Sequence, residues 1–113
     1  MRLRDKRWIY EVEGRRMSVE NAWSWPLWAQ ERVVFDGETL RAAGAYLTMD
    51  RNFTLPASET GLSRPLHVTL YSGLFTIQAI VLYGDTPLEP LDVQTGIWRE
   101  RKGGWPPAEP AAV

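Results

Sequence analysis

Along the first third of the chain, apolar and polar side chains alternate with the period of two that a β-strand gives to its two faces. Trp8, Tyr10 and Val12 alternate with Ile9, Glu11 and Glu13, and Gly14 stands at a turn position, so a strand is expected over residues 7–13. Met17, Val19 and Trp23 then share one face with Arg16, Ser18 and Glu20 on the other, which gives a second strand and a hairpin with the first. Residues 32–35 are rich in β-branched and aromatic side chains and run into Asp36-Gly37, which readily take the positive φ angles of a tight hairpin. Residues 39–42 return from it.

Further along, Leu66, Val68 and Leu70 alternate with His67, Thr69 and Tyr71, and Ser72-Gly73 turns the chain into a strand over residues 75–83. That strand is largely apolar on both faces, as expected of a central strand covered on both sides. Gly84-Asp85 supplies another turn, and Leu88 and Leu91 mark a short edge strand around Pro87 and Pro90. Residues 48–65 carry two prolines and a glycine and are expected to cross between sheets, with a short strand near Phe53. The best helical window, residues 38–46, is interrupted by Gly44 and reads better as a return strand. The pattern predicts an all-β fold, a single small antiparallel β-sandwich or barrel over residues 1–102. Residues 103–113, Gly-Gly-Trp-Pro-Pro-Ala-Glu-Pro-Ala-Ala-Val, have no packable pattern and read as a flexible proline-rich tail.

Composition narrows the function classes. At 113 residues, 44% apolar and 24% charged, the chain suffices for one core and should fold unaided. A net charge of -1 provides no field to gather polyanions, so nucleic acid is not an expected partner. Basic residues do crowd both ends: Arg2, Arg4, Lys6 and Arg7 at the start, Arg99, Arg101 and Lys102 near the finish. They form one patch if the ends meet; otherwise they serve to keep a sheet edge soluble. Without cysteine there is no disulfide, thiolate nucleophile or cysteine metal site. No stretch reads as a signal peptide or a bilayer span, so the expected location is the cytoplasm, without a membrane partner.

Catalytic equipment is sparse. His67 is the only histidine, which removes most catalytic triads and every multi-histidine metal site. It reads as a surface or half-buried structural residue unless Asp50 or Glu59 lies beside it for acid–base work. The carboxylate pairs Glu11/Glu13 and Glu89/Asp92 read as wet strand and turn residues rather than as a glycosidase pair. The glycines at 37, 44, 61, 73, 84 and 96 are scattered singly, and none opens a phosphate loop ahead of a helix. No catalytic residue, metal ligand or cofactor is expected.

What is unusual is the tryptophan content. Trp23, Trp25 and Trp28, half of the six, fall within six positions, with Pro26 between them ending a strand or marking a sheet edge. Leaving all three exposed would risk aggregation. Trp23 is therefore expected in the core, with Trp25 and Trp28 as an exposed binding pair.

The order of Trp8, Met17 and Val19, then Val33, Val34, Phe35, Asp36 and Gly37, and finally residues 66–82 resembles the β-sandwich domain of the Fas apoptotic inhibitory molecule family. The resemblance covers residues 7–92 and rests on strand and turn patterns; the tryptophan segment between Asn21 and Gln30 departs from it. It implies a non-catalytic interaction module and brings no catalytic residue. The expected function is thus a non-enzymatic binding or protein-interaction module, its partner an unidentified protein or small ligand, with homo-oligomers allowed. The alternatives are a structural assembly subunit, such as a phage or surface component, and a small-ligand or carbohydrate-binding domain using exposed tryptophans.

Overall fold

The computed structural model describes residues 3–24, 28–46, 50–72 and 77–98. The protein is all-β. The strands are β1 (Leu3–Val12), β2 (Arg15–Ser24), β3 (Trp28–Phe35), β4 (Glu38–Tyr46), β5 (Asp50–Leu55), β6 (Leu66–Ser72), β7 (Ile77–Tyr83), β8 (Thr86–Pro87) and β9 (Asp92–Trp98). One short helix, α1 (Ala57–Thr60), follows β5. The strands form two antiparallel sheets in the orders β4-β3-β2-β1-β9 and β5-β6-β7-β8, and neither closes on itself. Each sheet belongs to its own compact unit.

The first sheet is a run of hairpins fixed by turn chemistry. Glu13 and Gly14 (φ 51° and 76°) join β1 to β2, and Asp36 and Gly37 (φ 54° and 83°) join β3 to β4. Two consecutive positive φ values mark type I′ turns, whose twist matches that of the strands they connect. The two turns lie at one end of the sheet, where Asp36 N donates to Arg16 O at 2.9 Å and Arg15 Nε donates to Asp36 Oδ2 at 2.9 Å. β4 carries a bulge: Val33 pairs with Arg41 and Val34 with Thr39, leaving Leu40 as the extra residue.

Register sets the two faces of this sheet. Trp8, Val19 and Val33 stand side by side, as do Tyr10, Met17 and Phe35, and all six are buried. On the opposite face Ile9, Ala22 and Val34 are buried, and so are Ser18, Glu20 and Arg32. The alternation of β2 therefore has no wet side over residues 17–22.

In the second sheet Leu55, Leu66, Val68, Leu70 and Val81 share the buried face. Gly84 (φ 62°) opens the β7–β8 turn and donates its N–H to Pro65 O at 2.8 Å, and an added Cβ would meet Arg64 Cδ at 2.9 Å. With positive φ confined to the glycine of Gly84-Asp85, the turn has the pattern of type II′.

Several expectations need correction. β1 begins at Leu3 rather than at residue 7, because residues 3–6 pair with β9 and residues 4–6 also pair with β2. β7 is not covered on both sides: Gln78 is exposed and Ile80 is 44% exposed. The edge strand around Pro87 shrinks to two residues, since proline has no amide hydrogen to extend a ladder. β9 was not expected at all; its residues 92–95 are exposed, so no apolar run is demanded of it. Glu11 and Glu13 do not share a strand face, because Glu13 occupies the turn. The strand expected near Phe53 is β5, and the window ending past Gly44 is strand β4.

Candidate functional site

The second sheet has one buried face and one open face. Three rows of residues run across the open face: Thr54, His67, Leu82 and Pro87; Asn52, Thr69 and Ile80; and Asp50, Tyr71 and Gln78. Each row follows from register, since directly opposed residues of antiparallel strands point to one side. Thr69 Oγ1 donates to Asn52 Oδ1 at 2.8 Å, and Tyr71 OH donates to Gln78 Oε1 at 2.9 Å. His67 Nδ1 lies 3.4 Å from Thr54 Oγ1. Apart from Asp50 at one end of the third row, none of these residues is lysine, arginine, aspartate or glutamate. A sheet face kept merely wet usually carries several such charges; the rest of this face has amides, hydroxyls, a tyrosine, a histidine and apolar side chains instead.

A second polar assembly lies inside the first sheet. Arg7 of β1, Glu20 of β2 and Arg32 of β3 are directly opposed across three strands. Arg32 Nε donates to Glu20 Oε1 at 2.6 Å, Ser18 Oγ donates to Glu20 Oε2 at 2.8 Å, and Arg7 Nε stands 3.8 Å from Glu20 Oε2. The Arg32 and Glu20 side chains are 6% and 7% exposed. A buried carboxylate is tolerable only with such company. This assembly has the character of a structural clamp, as its hydrogen-bonding capacity is turned inward on Glu20.

Asp5 lies two residues before Arg7 on the same face. Burial raises its carboxyl pKa above the usual aspartate value, with Arg7 pulling it down and Glu20 pushing it up. Folding thus favours the protonated form. Stability falls as pH rises from the usual aspartate value through the raised folded value, and the cost persists at higher pH. Asp5→Asn is expected to raise the melting temperature at about pH 7 and to lose that advantage at about pH 3. Thermal melts across that range check it; an equal shift at both ends would contradict it.

Trp25 lies outside the described residues, and Trp28 opens β3 opposite Ser24 and Tyr46. Trp23 is half-buried near the end of β2, facing Arg4 and Ala29, and is not in the fully buried core. β2 ends at Ser24, opposite Trp28 at the start of β3, so Trp23 and Trp28 belong to two neighbouring strands. The partner across from His67 is Thr54, while Asp50 lies further along β5 opposite Tyr71. Asp92 is occupied locally, accepting from Val93 N at 3.0 Å and Gln94 Nε2 at 3.1 Å. The start of β1 and the end of β9 do lie side by side, with Leu3 paired to Trp98. Yet Arg7 turns to Glu20, and Lys6 Nζ rests 5.1 Å from the Trp8 ring centre, so neither contributes a plain exposed charge. Arg2, Arg99, Arg101, Lys102 and the expected tail lie outside the described residues.

Among the described residues no group of three or more histidine, cysteine, aspartate or glutamate side chains could hold a metal ion, and no helix is long and apolar enough to cross a membrane. No protein family, curated protein or solved structure matches the chain.

Proposed function

We propose that the protein is a non-enzymatic interaction module whose contact surface is the open face of the second sheet, taking a protein partner. One observation carries this reading: the charge-poor centre of the face around Ile80, with Asp50 at its margin and with its pre-formed Asn52–Thr69 and Tyr71–Gln78 pairs. Depletion of charge with retention of tyrosine and aliphatic residues is the composition of an interface centre. Side chains already paired across strands also lose less rotamer freedom when a partner arrives. The resemblance to the Fas apoptotic inhibitory molecule domain points to the same class.

The test uses two matched substitutions. Ile80 and Val93 are strand residues exposed to nearly the same extent, 44% and 43%, on different sheets. In quantitative capture from the native host, Ile80→Lys is expected to abolish recovery of a partner that the wild-type chain retains, whereas Val93→Lys leaves it intact. Both variants should melt like the parent, since surface changes shift stability by only about 0.5 kcal/mol. Loss with Val93→Lys and retention with Ile80→Lys would overturn the assignment.

A further inference from the structure

Asn21 Oδ1 is a buried acceptor with no hydrogen-bond donor, and its residue is only 2% exposed. Chemistry fixes the amide orientation. Nδ2 lies 3.0 Å from Glu31 Oε2 and 3.4 Å from the backbone oxygen of Gln30, both acceptors, so the reversed amide would set oxygen against oxygen. An acceptor left unmet in such a place costs free energy and calls for a donor from outside the chain.

Its surroundings select the donor. Lys6 of β1 and Glu31 of β3 are the residues directly opposite Asn21, and Trp23 lies two residues further along β2 on the same face. Ala29 stands opposite Trp23 and Ala43 opposite Glu31, small side chains on either flank. Glu31 would oppose an incoming carboxylate, and Lys6 an incoming ammonium. A hydroxyl suits both, because one oxygen donates to Asn21 Oδ1 or Glu31 and accepts from Lys6. Half-buried Trp23 adds an apolar ring plane beside this polar row.

We propose that the row Lys6–Asn21–Glu31, with Trp23 beside it, binds a neutral polyhydroxyl small molecule of the saccharide class, a hydroxyl donating to Asn21 Oδ1 and the C–H face of the ring resting on Trp23. Lys6 and Trp23 are only half-buried, so the ligand enters past them. The site uses none of the residues of the open second-sheet face, and each proposal stands or falls alone.

The full chain, labelled for nuclear magnetic resonance, is titrated separately with D-glucose, D-galactose and N-acetyl-D-glucosamine. The expected result is saturable movement of the Asn21 side-chain amide and the Trp23 indole N–H signals with one or more of these sugars. Binding should become about tenfold weaker in Asn21→Ala. Trp23→Leu, at a less buried position, supplies the same comparison should Asn21→Ala fail to fold. The proposal is overturned if none of the three sugars moves those signals, if both variants bind as the parent does, or if a long-lived water on the Asn21 amide persists at saturating sugar.

Discussion

Replacing Arg32 with methionine is expected to lower the unfolding free energy by about 3–5 kcal/mol, the usual cost of leaving one member of a buried ion pair alone. Glu20 would keep Ser18 at 2.8 Å, but its remaining cation, Arg7, stands 3.8 Å away. The loss is measured by urea denaturation monitored by tryptophan fluorescence. Replacing Glu20 with methionine as well removes the stranded charge, and the double variant should recover most of the loss. A cost below about 1 kcal/mol for Arg32→Met would mean that Glu20 behaves as a surface residue.

Trp8→Ala carries the second large effect. The ring is 5% exposed, stands beside Val19, and lies beneath the Lys6 ammonium at 5.1 Å. Truncation at such a site costs about 3–5 kcal/mol. Trp23→Ala removes the same atoms from a half-buried position, so about 1–3 kcal/mol is expected there. Equal losses at the two positions in the same denaturation assay would show that Trp23 is as deeply packed as Trp8.

The strands were legible wherever alternation coincided with a turn that glycine alone makes cheap. Glu13-Gly14, Asp36-Gly37 and Gly84-Asp85 each close a hairpin in the structure. β9 escaped notice because an exposed edge strand has no apolar face to announce it. The burial of Glu20 was not legible, for a different reason. Polar residues at alternate positions normally mark a wet face, and its burial depends on Arg7 and Arg32, which sit on two other strands. Only register brings such residues together, and a single strand's pattern does not contain register. The open face of the second sheet was missed on the same grounds: Asn52, Thr69 and Ile80 are far apart in sequence and each is unremarkable alone. The tryptophan cluster drew attention by composition, yet Trp23, expected in the core, is only half-buried. A clue to the open face was present in the strand over residues 66–71, whose second face, His67, Thr69 and Tyr71, lacks charge.

The central claim, that the open face of the second sheet is where the protein meets its partner, is tested most directly by placing a photo-crosslinking amino acid at position 80 or, in a matched chain, at position 93. Irradiation in the native host is predicted to give a discrete higher-mass adduct with another protein from position 80 and none from position 93. An adduct from position 93 alone would contradict the account and move the contact surface to the edge of the first sheet.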